Sequence, residues 1–140
     1  MEFSARTTIS ATPMAVWAIL TDAEHFPDWE LNVTRVEGRI ALGERITVHT
    51  RLSERAFPVT VTAFEPGARM VWASGLPLGL FRGERTFTLH ALDGGATEVT
   101  TREVFSGLLL PLIGRTIPDL QPAFDQFAEA LKTEAERVAA

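Results

Sequence analysis

The chain has 140 residues, 46% of them hydrophobic and 22% charged, with a formal net charge of −5. That length and balance suit one domain with a substantial core, and the scattered acidic groups leave no basic stripe to neutralise a phosphate backbone, which argues against nucleic acid as a partner. Cysteine is absent, so disulfides and thiolate chemistry are excluded.

The first residues, Met1 to Arg6, lack the long apolar region of a signal peptide. The longest apolar run, Leu108 to Ile113, is far too short to span a bilayer and contains Pro111. A cytoplasmic protein without stable membrane insertion is the expectation.

Phe3, Ala5, Thr7 and Ile9 alternate with Glu2, Ser4, Arg6 and Thr8, the period of a half-buried strand. Thr12 before Pro13 reads as a helix N-cap followed by proline at the first helical position, and Val16, Trp17 and Leu20 give that helix an apolar face ending near Asp22. His25 to Trp29 is too aromatic for a solvated loop. It reads as a second short helix whose Phe26 and Trp29 close one end of the core.

From Val33 the pattern returns to strands. After Val33 to Val36 and a turn at Gly38 to Gly43, Ile46, Val48, Thr50 and Leu52 share one face. Phe57, Val59, Val61 and Ala63 follow, and Glu65-Pro66-Gly67-Ala68 is a turn by composition. Closing that turn between Phe64 and Arg69 sets Val61 opposite Trp72 and Val59 opposite Ser74, with Met70 and Trp72 on the inner face.

Phe81 to Leu92 and Ala96 to Phe105 form the clearest hairpin, because Asp93-Gly94-Gly95 separates two alternating segments. A loop centred on Gly94 pairs Leu89 with Val99, Phe87 with Thr101 and Arg85 with Glu103, all facing inward. An arginine and a carboxylate are thereby brought side by side in an apolar interior, where charges cost several kcal/mol each unless paired or wet. Two roles fit them, a cross-strand ion pair or a site that orients a ligand's carboxylate, hydroxyl or carbonyl.

Ser106 to Arg115 is too apolar for a solvated connection and is expected to lie over one mouth of the interior, as lid, plug, dimer surface or membrane-contact patch. From Thr116 to Val138, Ile117, Leu120, Phe124, Phe127, Leu131, Ala135 and Val138 recur at steps of three and four, the stripe of a long helix. Pro118 falls in its first turn, and Pro122 is expected to give no more than a kink.

Other chemistry finds no foothold. His25, His49 and His90 share no metal-binding spacing, Ser74 and Ser106 have no nucleophile elbow, and the glycines at 75 and 79 precede no phosphate-loop lysine. Neither a metal nor a cofactor is expected.

Several segments resemble those of the SRPBCC superfamily, which includes START, Bet v 1-like and polyketide cyclase-like proteins. They are Ala11 to Trp17 with Leu20-Thr21-Asp22, Phe26-Pro27-Asp28-Trp29, Glu65-Pro66-Gly67 with Met70-Val71-Trp72, and Gly83-Glu84-Arg85 with Phe87. The resemblance covers essentially the whole chain, 1–140. It implies one α+β helix-grip domain, a curved antiparallel sheet of about seven strands wrapped around the long C-terminal helix, with two short helices after the first strand. It also implies a cavity between sheet and helix for a hydrophobic or amphipathic small molecule, lipid-like or polyketide-like.

On the pattern above, that cavity is bordered from the sheet by Val48, Thr50, Val59, Val61, Met70, Trp72, Arg85, Phe87, Thr101 and Glu103. Leu109, Leu120, Phe124 and Phe127 border it from the lid and helix. Many single-domain bacterial relatives carry histidine where this chain has Arg85, and the chain has no tyrosine. Three functions follow from the resemblance: a binder or carrier, a cyclase or dehydratase in which Arg85 polarises a carbonyl and Glu103 moves a proton, or a chaperone- or ribosome-associated interaction module. Each is compatible with a monomer or a homodimer.

Overall fold

The computed structural model describes all residues, 1–140. Seven strands form one antiparallel sheet: β1 (Glu2–Ile9), β2 (Val33–Glu37), β3 (Arg45–Thr50), β4 (Phe57–Glu65), β5 (Arg69–Leu76), β6 (Phe81–Ala91) and β7 (Thr97–Ser106). Their spatial order is β1-β7-β6-β5-β4-β3-β2, so each strand after β1 lies beside its successor, and β1 returns to β7. Four helices complete the fold: α1 (Pro13–Leu20), α2 (Phe26–Trp29), α3 (Leu110–Ile113) and α4 (Gln121–Ala139). The sheet curls as a half-barrel around α4, the α+β helix-grip architecture expected from the sequence.

Local chemistry places the elements. Thr12 Oγ1 accepts from the Ala15 amide at 3.3 Å and Pro13 opens the first turn, so α1 begins where its cap allows. The buried hydroxyl of Thr97 donates to the Ala11 carbonyl at 2.7 Å and pins the approach to α1 against β7. Helix α4 buries Phe124, Phe127, Leu131 and Ala135, with about 1.5–3 kcal/mol available from each large side chain removed from water. Its polar flank is tied along β1: Gln121 Nε2 donates to the Ser4 carbonyl, Lys132 Nζ to the Thr8 carbonyl, and Glu136 accepts from the Ser10 amide.

The long helix starts later than its apolar periodicity predicts. Residues 114–116 form a 3-10 turn and Ile117 is extended (φ −82°, ψ 119°), because a residue before proline is pushed out of the helical region. Pro122 then occupies the first turn of α4, where its missing amide costs nothing. It starts the helix and does not kink it. Similarly, β3 ends at Thr50 and Leu52 is exposed in the turn that follows, not on the inner face.

The β6–β7 register is the expected one, with Leu89 opposite Val99, Phe87 opposite Thr101 and Arg85 opposite Glu103. In the β4–β5 hairpin the turn closes between Glu65 and Arg69, one residue beyond expectation. A bulge at Thr62 then shifts the register back, so that Val61 still faces Trp72.

Candidate functional site

One transverse row of the inner sheet face runs through five strands: Val61, Trp72, Arg85, Glu103 and Phe3 are successive register partners on β4, β5, β6, β7 and β1. The two charged side chains of this row, Arg85 and Glu103, are neighbours at its middle. The opposite wall is α4, with Phe124 and Phe127 facing the sheet.

Arg85 is held by three rings and one hydroxyl. Its guanidinium carbon lies 4.5 Å from the centre of Phe124, 4.6 Å from Phe127 and 4.9 Å from Phe87, a cation–π cage. Nε donates to Thr101 Oγ1 at 2.9 Å. No carboxylate forms an ion pair with the guanidinium, although Glu103 is its register partner. The cross-strand ion pair expected as one of the two roles is therefore not made. Side chains of adjacent strands diverge here because Arg85 turns along the strand toward Thr101 and α4.

Trp72 Nε1 is the one buried side-chain nitrogen or oxygen left without a hydrogen-bond partner. Arg85 and Glu103 are both partly accessible, and beyond the Nε bond to Thr101 the guanidinium makes no hydrogen bond to the protein. The apolar surroundings act on both charges. Burial pushes the Glu103 carboxyl above its ordinary value against the opposing pull of Arg85, and burial pulls the Arg85 guanidinium down while Glu103 and Glu30 hold it up.

Glu30 is a member of this group that sequence reasoning missed. It caps the end of α2, is 6% exposed, accepts from the Asn32 amide at 3.1 Å, and has its carboxyl raised by burial. The available signal was its position directly after the Phe26–Trp29 aromatic pair, whose rings are 4.7 Å apart and carry the chain into the core.

Residues expected to border a cavity divide into two sets. Val61, Met70, Trp72, Phe87, Thr101, Phe124 and Phe127 are buried and form a packed floor, in which Phe26, Trp72, Phe87, Phe127 and Trp29 make a chain of rings at 4.9–6.0 Å. Val48, Thr50, Val59, Arg85, Glu103, Leu109 and Leu120 retain partial accessibility. The second set lies toward one end of the curl, where β3, β5 and β7 finish and α3 crosses. We call this end the mouth.

A separate concavity of about 550 Å³ lies at the mouth, in the turn between β3 and β4. Thr34, His49, Thr50, Arg51, Leu52, Ser53, Glu54 and Arg55 line it, so of the expected site residues it includes Thr50 alone. A second, of about 270 Å³, lies on the outer sheet face among Arg82, Glu84, Thr86, Arg102, Val104 and Ser106. His25 and His49 pair with Asp22 and Glu37, and His90 is exposed.

Solved structures share this architecture. The Mesorhizobium loti protein MLL2253 is 22% identical with a TM-score of 0.76, covering 98% of each chain. A START superfamily protein from Mycobacterium smegmatis is 14% identical with a TM-score of 0.71, again over 98% of each. The aromatase/cyclase Zhui from Streptomyces sp. R1128 is 16% identical with a TM-score of 0.75, over all of this chain and 96% of its own. At these identities the likeness is one of fold. No curated protein sequence matches the chain. The model of the family described as polyketide cyclase / dehydrase and lipid transport matches residues 1–136, nearly the whole length; the chain belongs to that family.

Proposed function

We propose that this protein binds a hydrophobic or amphipathic small molecule between the sheet and α4, with the ligand's oxygen-bearing end on Arg85 and its apolar part toward the mouth. The observation that carries this reading is the state of Arg85. A guanidinium inside a ring of aromatic side chains loses much of its hydration, and one hydrogen bond to Thr101 leaves its Nη groups free to donate. A carbonyl, hydroxyl or acid oxygen placed there receives charge-assisted hydrogen bonds in a medium of low polarity, where they are strongest. The partly accessible Val48, Val59, Leu109 and Leu120 supply the apolar contact that most small-molecule sites use for affinity.

Titration with 11-(dansylamino)undecanoic acid tests this, with energy transfer from tryptophan as the signal. Arg85→Met is expected to weaken binding at least about tenfold, as loss of a charged hydrogen bond implies, while the urea midpoint stays near that of the parent. Equal affinity in the two proteins contradicts the reading.

A second reading, the cyclase or dehydratase type of enzyme, draws support from Glu103. A carboxyl raised by burial, in register with a cation, is suited to taking a proton from a carbon or hydroxyl that Arg85 has polarised. Turnover lost in Glu103→Gln with ligand binding retained is the expected signature; turnover unaffected by that change removes it.

A further inference from the structure

The exposed hydrophobic side chains are concentrated at the mouth. Leu52 and Phe57 stand beside the β3–β4 turn, Leu76 and Leu78 at the β5–β6 turn, and Leu108 and Leu112 around α3. Antiparallel register puts these segments on one edge, since Leu76 pairs with Phe81 and Arg82 with Ser106, while β4 begins beside the end of β5. Met1 and Leu31, also exposed, precede β1 and β2 at this same end, while Met14, Leu42, Leu92 and Val138 come from separate turns and helix ends.

Two of the mouth segments are built as one unit. The Leu108 amide donates to the Gly79 carbonyl at 3.1 Å and the Leu109 amide to the Leu80 carbonyl at 2.8 Å. Leu78 sits at φ 61°, a left-handed conformation that a leucine adopts at a cost, and its side chain is 91% exposed. Leu108 is 79% exposed. Leucines at the tips of projecting turns, with basic groups beside them, suit insertion among acyl chains.

Charge at this edge departs from the rest of the molecule. In a chain of net charge −5, the mouth segments 51–56, 77–80 and 107–120 carry Arg51, Arg55 and Arg115 against Glu54 and Asp119, all exposed. Arg51 and Arg55 line the 550 Å³ concavity described above, together with Ser53, Thr50, His49 and Glu54. That gives an anionic headgroup a polar seat next to the leucines.

We infer that the mouth edge docks on an anionic lipid surface, with Leu78 and Leu108 inserted among the acyl chains and Arg51, Arg55 and Arg115 at headgroup level. Four or more partly buried leucines with a few basic groups give the weak, reversible attachment of a peripheral protein, not a spanning one. Docking in this orientation turns the opening of the curl toward the membrane. It goes beyond the ligand-binding reading and stands on different residues.

The test is co-sedimentation of the full chain with sucrose-loaded vesicles of phosphatidylcholine, alone or with about a quarter phosphatidylglycerol. The parent is expected to bind the mixed vesicles more tightly than the neutral ones, and the Leu78→Glu/Leu108→Glu variant to lose at least about tenfold in binding. Unchanged tryptophan emission confirms that the variant is folded, as both sites are exposed. Three results overturn the inference: no sedimentation of the parent, equal sedimentation of the variant, or a parent dimer in analytical ultracentrifugation that the variant converts to monomer, which assigns the edge to a second copy. Titration with the dansyl acid in the absence of vesicles reports the Arg85 site separately, so either proposal can fail alone.

Discussion

Arg85 and Glu103 face each other across β6 and β7 and yet form no ion pair; the guanidinium turns instead to Thr101 and three phenylalanine rings. Desolvation decides the chemistry of this pair. For both groups burial is the largest influence on ionisation, ahead of their mutual attraction.

Glu103→Gln should therefore stabilise the protein at neutral pH. The folded-state pKa of Glu103 is raised above its ordinary 4.5, so the folded protein holds this proton more tightly than the unfolded chain, and ionisation costs stability as pH rises. The gain from glutamine is absent below the unfolded value, grows above it and is complete above the folded one. Urea denaturation of both proteins at pH 4 and pH 7 measures it. A variant less stable than the parent at pH 7 would mean that the carboxylate is needed to hold Arg85.

Trp72 carries an indole N–H that is buried without an acceptor, an arrangement that costs about 1–3 kcal/mol. Trp72→Phe removes that donor along with part of the ring packing against Phe26 and Phe87. The two effects oppose, and the expected change in unfolding free energy is within about 1 kcal/mol, against the 3–5 kcal/mol common for large aromatic truncations in a core. A loss in that higher range shows that the indole nitrogen is satisfied in solution.

Gly75 allows β5 to turn toward the mouth at φ 135°, and a Cβ placed there would lie 2.2 Å from the Phe81 carbonyl oxygen. Neither the backbone conformation nor the space admits alanine. Gly75→Ala is expected to cost at least about 2 kcal/mol of stability. Its thermal unfolding should shift accordingly; an unchanged midpoint contradicts the hairpin geometry at this position.

Much of the architecture was legible because its signals are local. Alternation gave β1, β6 and β7 their faces, and the Asp93-Gly94-Gly95 turn gave the β6–β7 register, which in turn brought Arg85, Glu103 and Thr101 to the inner surface. Apolar periodicity continues through Ile117 and Leu120 and so points to an earlier start for α4, while the prolines at 118 and 122 decide where the helix can begin. The Thr62 bulge is invisible to composition, and it compensates for a turn that closes one residue further out. Side-chain direction was the harder quantity. Register placed Arg85 beside Glu103, but the preference of the guanidinium for rings on α4 depends on a helix contributed by the far end of the chain. Glu30 is not legible from the sequence for a related reason: its burial arises from the packing of Phe26 and Trp29 against Trp72 and Phe127, a tertiary event.

The most direct test of ligand binding in the curl is a ¹⁵N–¹H correlation spectrum recorded while 11-(dansylamino)undecanoic acid is added. The chain has only three indole resonances, from Trp17, Trp29 and Trp72, and the Arg85 Nε resonance can be assigned by substitution. Binding between sheet and α4 predicts that Arg85 Nε–H and Trp72 Nε1–H shift together and saturate at one equivalent, with Trp17 little affected. Shifts confined to the residues of the outer sheet face, with Arg85 and Trp72 unmoved at saturation, would contradict it.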